Sequence, residues 1–218
     1  VNVPGGVLAV VPLRDGVSGK SRLATDLDPA ARRRLVAALA RHVVEVLLAA
    51  EGVDRVLVVT ADVAFGRETL AGLTDPVILE QPADRPGLNT ALDVAREHTL
   101  GLRPEVSRLL VVHADLPALA LDDVDAVLTT DADVVVATDR HAAGTNLLLV
   151  PVAEQAYRFR FGPGSRAAHL AEADRLGLRA AVVQRPGTAA DLDTIDDWAE
   201  LPHEVRARVR TAVGHPLP

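Results

Sequence analysis

Three short segments of this 218-residue chain hold residue types that could manage a nucleoside triphosphate and a divalent metal. Arg14-Asp-Gly-Val-Ser-Gly-Lys-Ser-Arg-Leu23 offers two glycines and three cations, among them Lys20, the only lysine in the chain. Gly16 and Gly19 permit turns that other residues resist, and such a loop can aim N–H groups at phosphates. Arg14, Lys20 and Arg22 add charged partners for the same oxygens. In His113-Ala-Asp-Leu-Pro-Ala-Leu119 a lone aspartate, Asp115, follows an apolar run. In Asp191-Leu-Asp193 two carboxylates are one residue apart. Along extended backbone that spacing puts both on one face, with Leu192 opposite. Carboxylates so placed repel unless a cation lies between them. With Asp115 they would form a hard-oxygen set suited to magnesium. Together these residues point to nucleotidyl transfer.

Each segment also has a plainer reading. Gly19-Lys20-Ser21 looks like the end of a P-loop, but that motif needs glycine where this chain has Arg14, so the P-loop fails. A solvated basic turn is then the alternative to a phosphate loop. Asp115 could be a turn or helix-cap residue. Asp193 could cap the helix that follows it. His113 reads as a packed histidine rather than a ligand, since no second histidine lies at metal-ligand spacing. Two further segments lead into regular structure. Asp139-Arg-His-Ala-Ala-Gly-Thr-Asn146 precedes a strand, and Phe161-Gly-Pro-Gly-Ser-Arg166 precedes a helix. Ser165 could cap that helix, whose free N–H groups could hold a carboxylate or phosphate. Asn89 and Thr90, after Gly87, could read a base or ribose or merely cap.

Positioning these residues requires an alternation of strands and helices. Apolar, β-branched runs predict strands over Val7–Leu13, Arg55–Thr60, Pro76–Glu80, Arg108–His113, Ala132–Thr138, Thr145–Val150 and Arg179–Val183. Helical periodicity predicts Pro29–Ala50, Val63–Leu73, Gly87–Leu100, Asp122–Thr129, Ser165–Leu176, Ile195–Leu201 and His203–Val213. Asp28 followed by Pro29 is a helix start. Pro117 stops the fourth strand. Such alternation implies a mostly parallel sheet covered on both faces, with ligands outside the carboxyl ends of its strands. All three opening segments fall at such ends. No repeat, low-complexity stretch or linker is visible, so residues 1–218 read as one α/β domain. Its terminal helix is free to pack on its own domain or on a second copy.

Composition narrows the classes. Aromatics make up 2 % of the chain against 49 % apolar residues, so the core must be built from valine, leucine and alanine. A formal charge of −7 repels nucleic acid and anionic membrane. The absence of cysteine rules out disulfides, thiolate zinc sites and a cysteine nucleophile. No apolar run reaches the ~18 residues of a spanning helix, and the first residues lack the features of a signal peptide. A soluble cytoplasmic protein is the default expectation.

The ordered set Lys20-Ser-Arg-Leu23, Leu88-Asn-Thr-Ala-Leu92, Asp115-Leu-Pro117, Asp139-Arg with Gly144-Thr145, Phe161-Gly-Pro-Gly-Ser165 and Asp191-Leu-Asp193 resembles the phosphoenolpyruvate/2-phospho-L-lactate guanylyltransferase family of coenzyme F-420 biosynthesis. The resemblance covers nearly the whole chain. It implies a GT-A-like (Rossmann-like) nucleotidyltransferase fold in three layers, with GTP and a three-carbon phosphorylated acid as substrates. It implies that Asp115, Asp191 and Asp193 bind Mg2+. It implies that Thr145, Gly162 and Ser165 hold the acid's carboxylate, mainly through backbone N–H groups. Arg14, Gly16, Gly19, Lys20, Asn89 and Thr90 would meet the nucleotide, and Lys20, Arg22 and Asp115 would act at the reacting phosphates. Relatives often carry lysine at the Arg14 position, so the charge is kept with a different geometry.

The expected reaction is attack by the acid's phosphate oxygen on the α-phosphorus of GTP, with pyrophosphate expelled. Phosphoenolpyruvate is the expected acid and 2-phospho-L-lactate the alternative. A sugar-phosphate or molybdopterin nucleotidyltransferase is a second alternative, and a non-catalytic nucleotide-binding module a third. Further expectations are a homodimer and hand-over of the product to an acceptor transferase.

Overall fold

The computed structural model describes residues 6–14, 20–102 and 105–214. Gly16, Gly19 and the proline-containing tail lie outside the described residues.

Seven strands join in one sheet, in the order β3-β2-β1-β4-β6-β5-β7. They are β1 (Gly6–Pro12), β2 (Arg55–Thr60), β3 (Val77–Glu80), β4 (Val106–Val112), β5 (Val134–Ala137), β6 (Leu147–Pro151) and β7 (Ala180–Val183). Neighbours pair in parallel except at β6, which is antiparallel to both β4 and β5. The sheet is thus mostly parallel, as expected, with one strand reversed. That reversal carries the start of β6 to the edge where the other strands end, because Leu147 pairs with Val112 of β4 and Ala137 of β5.

The helices are α1 (Pro29–Ala49), α2 (Val63–Thr69), α3 (Leu88–Leu102), α4 (Leu121–Leu128), α5 (Ser165–Arg175), α6 (Pro186–Ala189), α7 (Ile195–Glu200) and α8 (His203–Val213). Helix α1 begins as its sequence predicts, with the Asp28 carboxylate accepting the Ala31 N–H at 2.7 Å and Pro29 in the first turn. Helix α2 ends four residues before the expected Leu73, at Thr69. The short helix α6 was not expected; Pro186 at its start suits a first turn, where a missing N–H costs nothing. Helix α8 matches its expected bounds and packs along α1 of the same chain, with Arg34 Nε donating to the Val213 carbonyl at 2.9 Å.

Successive strand residues face opposite layers. Ala9, Val11, Val56, Val58, Leu110 and Val112 bury against one helical layer with Val43, Leu47 and Val124. Leu8, Val10, Leu57, Val59, Leu109 and Val111 bury against the other, with Ala91, Leu92, Tyr157 and Phe161. A third cluster stands off the sheet and joins Leu23, Leu35, Leu39, Leu192, Trp198, Leu201, Val209 and Val213. It ties the first polar loop to the last, since Leu23 and Leu192 are 1 % exposed. Full burial of a leucine contributes about 1.5–3 kcal/mol, which anchors two loops that carry few regular hydrogen bonds.

Gly187 of α6 is a tight junction. A Cβ there would overlap Asp123 Oδ2 and lie 2.6 Å from the Ala118 carbonyl oxygen. Gly187→Ala must therefore displace backbone as well as a side chain. It is expected to cost about 1–3 kcal/mol, read as a lower urea midpoint. Gly101→Ala, in a helix with open space around the added methyl, should leave stability unchanged or raise it by up to about 1 kcal/mol. Equal midpoints for the two variants would contradict this packing.

Candidate functional site

At the carboxyl edge of the sheet the ammonium of Lys20 sits between two carboxylates. Its Nζ donates to Asp115 Oδ2 at 2.6 Å and to Asp193 Oδ1 at 2.7 Å. The lysine side chain is only 7 % exposed. Burial alone would lower its pKa, but the charges of Asp115 and then Asp193 outweigh burial and raise it above the ordinary lysine value. Burial likewise opposes ionisation of Asp115, yet the Lys20 ammonium holds that carboxyl below the usual range. Lys20 takes a left-handed backbone conformation, φ 57°. For a residue with a Cβ this costs roughly 1–2 kcal/mol, which the two ion pairs offset.

Four loops converge here, and each polar group has an apolar or capped support. Asp115 follows β4, and its neighbour Leu116 is buried in the core. The Leu192 N–H donates to the Asp115 carbonyl at 3.1 Å, stitching the last loop to the middle one. Asp193 does not cap the following helix; Thr194 does, accepting from the Asp197 N–H. Asp197 returns the contact by accepting the N–H groups of Asp193 at 2.8 Å and Thr194 at 2.6 Å. Arg140, from the loop after β5, pairs with Asp197 and Glu200. Arg208 of α8 donates to the Pro117 carbonyl.

The metal question turns on three observations. Asp115 Oδ1 is buried with no hydrogen-bond partner. Burial, and then the negative charge of Asp115, push the Asp191 carboxyl above its usual range. Lys20 already occupies the space between Asp115 and Asp193 as a cation. A lone pair without a donor, and carboxylates close enough to oppose each other's ionisation, are what a hard divalent ion would satisfy. Asp115, Asp191 and Asp193 thus offer oxygen donors of the type magnesium takes, although Lys20 stands between two of them. Among the described residues, no three acidic or histidine side chains are already gathered around a common point. Arg14, after β1, and Arg22, in the turn Ser21–Leu23, are exposed.

The second half of the site lies across the sheet edge, where Thr145 and Asn146 lead into β6. Thr145 and Ser165 are 2 % and 3 % exposed. Ser165 is the first residue of α5 rather than its cap; the cap is Gly164, which has φ 70° and no side-chain cap bond. Glycine suits this position because a left-handed backbone has no Cβ conflict there. The Ser165 and Arg166 N–H groups are engaged by the carbonyls of Gly162 and Ala143, both at 3.1 Å. The turn before β6 and the loop 161–166 are therefore one packed unit, which brings Thr145, Gly162 and Ser165 together. Asn89, in the first turn of α3, brackets Phe161: its Nδ2 donates to the Phe161 carbonyl at 3.1 Å and its Oδ1 accepts the Phe161 N–H at 2.8 Å. Thr90 is half-buried beside it.

Sequence reasoning missed two supports. His169 is fully buried, with Nε2 accepting from the Arg160 N–H at 3.0 Å and Nδ1 lying 3.1 Å from Thr145 Oγ1. It stands four residues after Ser165, one turn along α5, and that spacing was the available signal. Asn146 bonds the Thr188 carbonyl through Nδ2 at 2.8 Å and accepts the His113 N–H at 3.0 Å through its own carbonyl. His113 packs on Phe161, ring centroids 5.1 Å apart, as the packed reading expects; its Nε2 is buried without a partner.

Known proteins share this architecture. The family described as guanylyl transferase CofC like matches residues 7–204. A phosphoenolpyruvate guanylyltransferase from Rubrobacter xylanophilus is 40 % identical over 198 residues, covering 89 % of this chain and 93 % of its own. One from Conexibacter woesei is 37 % identical over 214 residues, covering 95 % and 92 %. A 2-phospho-L-lactate guanylyltransferase from Methanothermobacter thermautotrophicus is 33 % identical over 196 residues, covering 88 % and 82 %. Among solved structures, a nucleotidyl transfer enzyme from Methanothermobacter superposes with a TM-score of 0.64 at 19 % identity, covering 94 % of this chain and 98 % of its own. The inositol-1-phosphate CTP transferase of T. maritima does so at 0.59 and 12 %, covering 98 % of both. Those two likenesses bear on the fold alone, and they agree on a nucleotidyltransferase fold. With the family matched across most of its length, and with relatives this similar over nearly the whole chain, the chain belongs to the CofC-like guanylyl transferases.

Proposed function

We propose that this protein transfers GMP from GTP to the phosphate of phosphoenolpyruvate, releasing pyrophosphate, as the guanylylation step of coenzyme F-420 biosynthesis. The observation that carries the reading is the Lys20–Asp115–Asp193 cluster, with Asp191 beside it. It shares one sheet edge with the buried Thr145–Ser165 unit. One half suits a metal-bound polyphosphate and the other a small carboxylate. The relatives from Rubrobacter and Conexibacter named for phosphoenolpyruvate favour that acid. The Methanothermobacter relative keeps 2-phospho-L-lactate as the second reading. GTP and phosphoenolpyruvate are cytoplasmic metabolites, and the reading puts the enzyme there.

In this reading an oxygen of the acid's phosphate forms a bond to the α-phosphorus of GTP, and the α-phosphorus–oxygen bond to the β-phosphate breaks. The electron pair leaves with pyrophosphate. The second pKa of a phosphate monoester is near ~6, so the nucleophile is already anionic near neutrality and needs no general base. The obstacle is the approach of one anion to another. Asp115, Asp191 and Asp193 would hold Mg2+, which when bound supplies neutralising charge to both phosphates. The Lys20 ammonium, at the same edge, would bond phosphate oxygens with charge assistance. Arg14 and Arg22 face the triphosphate from the exposed side. Asn89 and Thr90 would meet the nucleoside, with Gly16 and Gly19 kept as nucleotide-binding residues on the resemblance alone. Thr145, Gly162 and Ser165 orient the acid, which confines attack to one geometry.

Three outcomes are expected. In a pyrophosphate-release assay coupled to the acceptor transferase, GTP should turn over with phosphoenolpyruvate faster than with 2-phospho-L-lactate. The two acids differ only in saturation of the C2–C3 bond, a difference about as small as one methylene, for which a pocket discriminates by roughly 10- to 200-fold. Release that needs neither acid would overturn the reading. Asp115→Asn should lower kcat/KM for GTP by about 100-fold or more, the scale seen when one preorganised electrostatic group is lost. Chelation should abolish turnover of the unaltered enzyme, and added Mg2+ should restore it. Full pyrophosphate release by Asp115→Asn would remove that residue from the metal site.

A further inference from the structure

His169 bonds both the turn before β6 and the segment that leads to Gly162. One ring nitrogen meets Thr145 Oγ1 at 3.1 Å and the other meets the Arg160 N–H at 3.0 Å. A backbone N–H can only donate, so Nε2 must carry the lone pair. In the neutral ring the proton is then on Nδ1, which donates to Thr145 Oγ1. The threonine oxygen is thereby an acceptor toward His169, and its own hydrogen must point elsewhere. Asn89 brackets the next residue, Phe161, through both its N–H and its carbonyl. Two consecutive backbone units just before Gly162 are thus clamped, one by His169 and one by Asn89.

The ring is locked. Phe161 meets it edge-on with centroids 4.7 Å apart, Tyr157 stacks at 6.4 Å, and the imidazole has no exposed surface. Burial, reinforced by nearby His113, lowers its pKa to about 4, so the ring is neutral through the physiological range. A neutral imidazole with a fixed tautomer sets the direction of one hydroxyl hydrogen.

We propose that His169 is a positioning residue for the acid substrate: its Nδ1–H turns the Thr145 hydroxyl hydrogen toward the substrate carboxylate while its Nε2 holds the Arg160–Phe161 backbone beside Gly162. The proposal rests on Thr145, Gly162 and Ser165 being the acid's pocket, and it adds the device that orders them.

The test has a spectroscopic and a kinetic arm. Long-range proton–nitrogen correlation of the His169 ring in the unaltered protein near pH 7 should show the less common Nδ1–H tautomer, and an Nε2–H ring would overturn the proposal. Kinetically, His169→Phe keeps the ring shape without either nitrogen. It should raise KM for phosphoenolpyruvate roughly 3- to 10-fold, the range of one or two neutral hydrogen bonds, with KM for GTP unchanged. His169→Asn keeps a donor at the Nδ1 position and should recover most of that loss. An unchanged acid KM in His169→Phe would overturn the proposal. Thr145→Ala separates this from the underlying reading. If Thr145→Ala raises the acid KM while His169→Phe does not, only the role of His169 is wrong; if neither raises it, the pocket is misassigned. Should His169→Phe fail to fold, the tautomer of the unaltered protein decides.

Discussion

The site is organised around one buried cation held by two carboxylates. Lys20 is the only lysine in the chain, and its contacts to Asp115 and Asp193 span 95 and 173 residues of sequence. An ammonium that is 7 % exposed is tolerable only if both anions stay in reach, and removing one partner of such a pair costs more than the pair contributes. Three loops from distant parts of the chain must therefore be held to within hydrogen-bond tolerance of one point. The third hydrophobic cluster does this for two of them through Leu23 and Leu192, and Leu116 does it for the third. The bond from the Leu192 N–H to the Asp115 carbonyl and the Asp197 capping box set the register between them.

The same arrangement explains how a fold made largely of aliphatic side chains supports a highly charged reaction. The parallel strands deliver Lys20, Asp115 and the region of Asp191 to one edge. The single reversed strand, β6, delivers Thr145 to that edge from the opposite direction. The two halves proposed for polyphosphate and for carboxylate thus flank neighbouring strands, β4 and β6. Asn89 links them physically, since it belongs to the helix expected at the nucleotide and bonds the backbone of the acid loop. Lys20 stands between Asp115 and Asp193, so the two carboxylates that the proposed reaction would give to a metal are already neutralised by a cation.

Much of this was legible in the sequence because local signals agreed. Unbroken valine and leucine runs marked buried strands, Asp28-Pro29 marked the start of α1, and the bounds of α8 followed from its periodicity alone. The reversal of β6 was legible in principle. Only nine residues, 138–146, separate it from β5, and a parallel crossover needs about a dozen or more. Helix α6 was hidden because four residues carry no period. In the site, residue types and their order picked out the segments of Lys20, Asp115, Asp191–Asp193 and Thr145–Ser165, which the fold brings to one sheet edge. The partners that aim them were not visible. The clasp on Lys20 depends on tertiary distance, Asn89 turned out to hold Phe161 backbone, and Ser165 proved to follow its cap rather than form it. His169 shares a helix face with Ser165, four residues on, but its burial depends on the loop that packs against it.

The central claim is that the α-phosphorus of GTP is joined to the phosphate of a three-carbon acid. Incubation with phosphoenolpyruvate and GTP labelled at either the α- or the γ-phosphate tests it directly, by asking which label enters the acid-containing product. The account predicts that α-label does so while γ-label leaves as pyrophosphate. Transfer of γ-label to the acid, or α-label recovered only as free GMP, would contradict it.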